Sequence, residues 1–180
     1  MDLLVKKVTT VPKDGDALEV AGDLLAPVKL ACKSSADSTK AVFYYASIDL
    51  KKRNGAVRIR ALVLMDCLIH RSKQFRELVC ADVKQIAQCM GLLPSSDQSG
   101  SSKATNSDRF VAPATSYIAE LESKGKELIE VWDHLYGDRY PQLRAIARYF
   151  RETLRLVMPN IMVRFQNIGD VIFVLRFDCD

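Results

Sequence analysis

Hydrophobic positions recur at helical spacing along most of this chain. The clearest case is residues 54–69. Val57, Ala61, Leu64 and Leu68 fall on one helical face, and Leu62, Met65 and Ile69 widen that face until residues 61–65 are apolar almost all round. A helix of this kind in a water-soluble protein is covered on several sides by other helices. It is therefore predicted to be the centre of an all-α stack. Asn54 is its expected N-cap. His70, Arg71 and Ser72 form the next break, and Ser72 is the expected cap of a following helix that carries Phe75, Leu78 and Val79.

The flanking pattern extends the stack. Residues 2–10 predict a short first helix. Asp16 is placed to cap a helix carrying Ala17, Val20, Leu24 and Leu25, and Pro27 is expected to kink or restart it. Ser34 with Asp37 resembles a capping box. The helix after it is expected to run to about Arg53, with Val42, Tyr45, Ala46 and Ile48 facing inward. One or two further helices fit between Ser72 and Met90, with Gly91 as a C-terminal stop. Residues 94–109 read as a flexible Ser-rich loop. Pro113 then opens a long helix striped by Ile118, Leu121, Leu128, Val131, Trp132 and Leu135 and closed by Gly137. Pro141 opens another, with Leu143, Ile146, Ala147, Phe150, Leu154 and Val157 on one face. Short connections imply antiparallel neighbours, in total about seven or eight helices in one domain over residues 1–157. Residues 158–180 break the pattern. IMVRFQ and VIFVLRF, separated by a turn at 167–170, predict an irregular or hairpin-like apolar tail.

An apolar content of 48% is enough for a sizeable core, so wholesale disorder is not expected. The net charge of +4 decides little, but its placement is uneven. Lys51, Lys52, Arg53, Arg58, Arg60, Arg71, Lys73 and Arg76 face only Asp66 in the same stretch. Lys51, Lys52, Arg53, Arg58 and Arg60 are thus predicted to form a basic surface, either a solvated rim or a contact for nucleic acid, acidic protein or anionic lipid. Arg144, Arg148, Arg151 and Arg155 fall within about 60° of one another on a helix and predict an arginine ridge. That ridge either pairs with Glu120, Glu122, Glu127 and Glu130 or faces a partner.

Catalytic patterns are missing. No glycine-rich phosphate cradle occurs. Cys67 and His70 lie one helical turn apart, but no second pair has metal-ligand spacing, so no metal and no cofactor are expected. Paired carboxylates on the helix after Pro113 look like a solvated surface, and the chain is not expected to be an enzyme. The cysteines 32, 67, 80, 89 and 179 are odd in number and lack a CxxC pair, which suits reduced thiols in an intracellular protein. Neither a signal peptide nor a membrane-spanning run is evident.

With these residues in view, a family resemblance emerges. Ala31-Cys32-Lys33-Ser34-Ser35, then Val57-Arg58-Ile59-Arg60, then His70 to Val79 with its RSKQFR core, resemble the N-terminal VHS/ENTH-like domain of the UV-stimulated scaffold protein A family. That family is expected to show CKSS, IRLSA and RSHQFR in this order and at about these distances. Trp132, the Tyr136-Gly137 pair and the tyrosines after Pro141 resemble its W…FG…Y segment. The similarity covers about residues 24–156.

The resemblance implies a VHS/ENTH-like stack and a nuclear, chromatin-associated scaffold of transcription-coupled nucleotide excision repair. Such a scaffold contacts the Cockayne syndrome A complex at RNA polymerase II stalled by UV-induced DNA damage. The family also carries a basic coiled region, a TFIIH-binding segment and a zinc-binding module. None of these is recognisable here, so TFIIH recruitment and zinc are not carried over, and the tail at 158–180 suggests a truncated or alternatively ended form. The expected partner contacts are Lys33, Ser34, Ser35, Arg71, Lys73, Gln74, Phe75 and Arg76, with Phe75 also a core candidate because it shares a face with Leu78 and Val79. Arg71 and Arg76 could pair with partner carboxylates. Two other readings compete. One is a membrane-trafficking adaptor of the same fold, binding ubiquitin or phosphoinositides through the basic stretch 51–60. The other is secondary DNA contact through the arginine ridge.

Overall fold

A computed structural model of the chain describes residues 1–10, 22–94 and 117–161. Among these the secondary structure is helical and contains no strand. The α-helices are α1 (Asp2–Thr9), α2 (Gly22–Ser34), α3 (Ala36–Leu50), α4 (Gly55–Ile69), α5 (Lys73–Ala81), α6 (Val83–Cys89), α7 (Ile118–Tyr136) and α8 (Pro141–Arg148), followed by a π-helical turn at Tyr149–Thr153. The chain divides into two compact units, Met1–Gly125 and Lys126–Asp180. The helix start predicted at Asp16, the loop at 95–109, the Pro113 start and the hairpin over 162–180 lie outside the described residues.

In the first unit α4 is the central helix, as its unbroken apolar circumference requires. It packs against α1, α3 and α5. Ile59, Leu62, Leu64, Met65, Leu68 and Ile69 are all buried, each contributing about 1.5–3 kcal/mol through loss of apolar surface. Val42, Phe43, Ala46 and Leu50 line the buried side of α3. Phe43 meets Phe75 of α5 edge to face, with ring centroids 5.6 Å apart. Tyr44 and Ile48 lie on the exposed side of α3, so Ile48 does not face inward as its spacing suggested.

Side-chain caps fix the starts of α3, α4 and α5. Asn54 Oδ1 accepts from the N–H groups of Ala56 (3.0 Å) and Val57 (3.4 Å). Ser72 Oγ accepts from Phe75 N–H at 3.1 Å. The cap of α3 is Ser35 rather than Ser34. Ser35 Oγ accepts from Asp37 and Ser38, while Ser34 Oγ donates back to Ala31 O at 2.8 Å and closes α2. Adjacent hydroxyls share the work of one turn, and the capping-box spacing alone does not tell them apart. Replacing Ser72 by alanine is expected to destabilise the fold by about 1 kcal/mol, read as a lower urea midpoint; no change would mean that water satisfies the freed amide.

Pro27 does not break α2. It stands on the exposed side of a continuous helix. The carbonyl that loses its amide partner is that of exposed Asp23, near the start of the described helix, where water can serve it. α3 ends at Leu50 rather than about Arg53, and the carbonyls of Lys51 and Lys52 accept from the guanidinium of Arg58 in α4. Gly91 stops the chain after α6 in the left-handed conformation (φ 78°).

In the second unit Leu128, Ile129, Val131, Trp132, Leu143, Ala147 and Phe150 are buried. Gly137 N–H donates to Asp133 O at 2.7 Å and closes α7. Pro141 opens α8 at its first turn. The helix does not continue regularly to Val157. Leu154 N–H reaches Tyr149 O, five residues back, at 3.1 Å, Arg155 turns left-handed (φ 50°), and Val157 is exposed.

Candidate functional site

The motif residues separate into two groups with opposite roles. The first group is internal. Arg58 is fully buried. Its guanidinium donates to Lys52 O through Nε, to Cys89 O through Nη1 (3.4 Å) and to Lys51 O through Nη2 (3.3 Å). It therefore ties α4 to the C-terminal ends of α3 and α6. Burial pulls its pKa down, yet helix C-termini carry partial negative charge that suits a cation. Arg60 is also buried and donates through Nη1 to Thr10 O (3.0 Å) and Val8 O (3.4 Å), closing α1. Arg76 is half-buried and donates to Ile69 O at 2.6 Å, closing α4. Phe75 is fully buried.

These placements correct the sequence reading. Arg58 and Arg60 do not belong to the basic surface, and Phe75 does not face a partner. Arginine was expected outside because its charge needs solvation. Here backbone carbonyls at helix ends supply that solvation.

The second group is outward. Lys33, Ser34 and Ser35 are exposed in the α2–α3 turn, and Arg71 and Lys73 are exposed in the α4–α5 turn, with Gln74 half-buried beside them. Their backbone is held firmly. Thr39 Oγ1 donates to Cys32 O at 3.0 Å and to Ser35 O at 3.2 Å, and Arg76 and Ser72 fix the second turn. Lys73 pairs loosely with Glu77 at 3.8 Å. Lys51, Lys52 and Arg53 sit in the α3–α4 turn, the last two exposed, and Lys52 forms an ion pair with buried Asp49. Asp49 also accepts from Thr9 Oγ1 at 2.6 Å.

Lys29 of α2 is a further cation that the sequence reading did not single out. Burial pushes the Cys67 thiol up, Asp66 pushes it further, and the charges of Lys29, Arg71 and Lys124 pull it back. Both charges bear on Cys67, which lies near the C-terminal end of α4. The signal was legible as Lys29 lying one helical turn before Lys33.

The arginine ridge is largely engaged. Arg151 grips Glu130 with two bonds (2.7 and 2.6 Å) and reaches Asp133 at 2.8 Å. Arg144 reaches Asp133 at 3.4 Å and Asp138 at 2.7 Å. Arg148 lies 3.8 Å from Glu152. The π-helical turn and the left-handed Arg155 break the expected single face. Of the predicted acids, Glu130 takes part. Asp133, one turn further along α7, was missed, although its spacing from Glu130 places both on one face.

Burial pushes the Cys80 thiol up to about 11, and also raises Cys32, Cys67 and Cys89. A folded pKa above the unfolded one means that unfolded thiols ionise first as pH rises. The stability present below about pH 9 is then lost on the way to about pH 11. Urea midpoints should fall across that window, and Cys80→Ala should flatten the slope. Among the described residues no cluster of His, Cys, Asp and Glu could hold a metal ion, and no helix is long and apolar enough to cross a membrane.

The family model of the UVSSA N-terminal domain matches residues 2–154. The chain belongs to the UV-stimulated scaffold protein A family. The mouse UV-stimulated scaffold protein A is 22% identical over 161 residues, 89% of this chain and 20% of the mouse protein. The Arabidopsis thaliana homolog is 28% identical over 166 residues, 92% of this chain and 22% of its own length. The Bos taurus protein is 23% identical over 137 residues, covering 76% and 18%. This chain thus spans about a fifth of the length of the scaffold proteins it matches. Within this shared domain Arg58, Arg60 and Arg76 close four helices between them.

Proposed function

We propose that this chain is a non-catalytic docking module of transcription-coupled nucleotide excision repair. In this reading it binds the Cockayne syndrome A complex at lesion-stalled RNA polymerase II in the nucleus, and contact with DNA is secondary. The supporting observation is the match of residues 2–154 to the N-terminal domain of the UV-stimulated scaffold proteins. The rigid, outward turns at residues 33–35 and 71–74 are consistent with it, since a docking module needs side chains presented from fixed backbone.

The test is a pull-down with the full purified chain against the Cockayne syndrome A complex at physiological salt, with ubiquitin and anionic liposomes in parallel. Retention of the complex is expected. Retention by ubiquitin or liposomes alone would replace this reading with a trafficking adaptor of the same fold.

A further inference from the structure

At the α2–α3 and α4–α5 turns Lys33, Arg71 and Lys73 are exposed. α3 and α4 pack together across the short link at residues 51–54 and so run antiparallel, which brings the start of α3, with the α2–α3 turn, and the end of α4, with the α4–α5 turn, to the same end of the unit. The acids close by are already occupied: Asp66 lies 3.1 Å from His70 Nε2, Asp37 pairs with Lys40 at 3.5 Å, and Glu77 lies at 3.8 Å from Lys73. Leu30 stands one turn before Lys33 on the same outward face of α2 and is 69% exposed. An isolated exposed leucine is ordinary. One beside an exposed lysine offers an apolar foothold next to a positive charge.

Nucleic acid fits this end poorly. Binding of single strands uses exposed aromatic rings on which bases stack, and the one aromatic of these turns, Phe75, is fully buried. Carboxylates fit better. Arg71 can take one in a two-bond grip, and Lys33 and Lys73 supply mobile point charges around it.

Resting on the scaffold reading, we propose that the end of the first unit formed by Leu30, Lys33, Arg71 and Lys73 docks an acidic protein segment that also carries an apolar side chain. The segment lays its apolar residue against Leu30 and its carboxylates on the three cations.

The experiment measures anisotropy of a fluorescent Glu-rich peptide with spaced leucines, titrated with the full chain, and repeats it with poly-Glu and with duplex DNA as competitors. The variant Lys33→Glu/Arg71→Glu/Lys73→Glu is expected to weaken peptide binding roughly tenfold or more. The control Lys51→Glu/Lys52→Glu/Arg53→Glu, an equal change of charge elsewhere, should stay within about twofold. Leu30→Ser should weaken the leucine-bearing peptide about threefold and leave poly-Glu unchanged. All the reversed side chains are outside the core, and helicity by circular dichroism checks each variant; Arg71→Glu alone serves if the triple variant loses helicity. Equal losses in both charge-reversal variants, or duplex DNA outcompeting the peptide, would overturn the proposal. If the triple variant still retains the Cockayne syndrome A complex, docking at this end is wrong while the scaffold reading stands. If the wild-type chain does not retain that complex but binds the peptide through these residues, the docking end stands and the scaffold reading falls.

Discussion

Arg58→Ala is expected to lower the unfolding free energy by about 3–5 kcal/mol, the combined cost of carbonyls left without a donor and of the cavity left by a long buried side chain. The guanidinium is fully buried and donates to Lys51 O, Lys52 O and Cys89 O. Its removal leaves carbonyls at the ends of α3 and α6 without that donor, and the one at Cys89 is buried. It also opens a cavity the size of a long side chain beside α4, the helix that α1, α3 and α5 pack against. A small domain has only about 5–15 kcal/mol of stability, so the variant should be largely unfolded under mild urea. Arg58→Lys keeps the charge but lacks the planar fork, and cannot reach three carbonyls in two directions. It should recover less than half of the loss. Urea titrations followed by circular dichroism measure both. A loss below about 1 kcal/mol for the alanine variant would mean that the carbonyls find other donors, and that Arg58 is not the tie between α3, α4 and α6.

The second large effect lies in the other unit. Glu130 and Asp133 are buried, at 8% and 6% exposure, and Arg151 reaches both. Breaking a fully buried pair costs about 3–5 kcal/mol. Arg151 itself is 43% exposed at the side chain, so solvent screens part of the interaction. Arg151→Ala is therefore expected to cost about 2 kcal/mol. The mechanism predicts its own rescue. Asp133 keeps Arg144 at 3.4 Å, so the charge stranded by Arg151→Ala is that of Glu130, and replacing Glu130 by Gln in that background should restore about half of the loss. A double variant less stable than Arg151→Ala would show that the Glu130 carboxylate serves other partners more than it suffers from isolation. The same pairing bears on function: an arginine already holding two buried carboxylates is poorly placed to hold a phosphate as well, which weakens the DNA reading of the ridge.

Helix existence, order and most boundaries were written in the pattern of apolar positions and caps. α4 is the strongest example. Its apolar circumference announced a central helix, and Asn54 and Ser72 announced where it begins and where its successor starts, because capping is a contact between residues two or three apart. The same local logic placed Gly91, Gly137 and Pro141. It misassigned the cap of α3 by one residue, since Ser34 and Ser35 differ only in which way each hydroxyl turns.

What the sequence could not assign was the role of the charged residues. Arg58 and Arg53 look alike in the chain, and so do Arg76 and Lys73. One of each pair is inside and one outside, and the difference depends on whether a distant helix ends beside it. The carbonyls that solvate Arg60 belong to Val8 and Thr10, and one that solvates Arg58 belongs to Cys89. Such contacts bring together residues far apart in the chain and leave no periodic trace. By itself the sequence determined an all-α stack with α4 at its centre and recognisable family motifs, because helical periodicity and capping are local. Only the tertiary structure decided which of those motif residues hold the helices together and which remain available to a partner, because burial of a charge is settled by what packs around it.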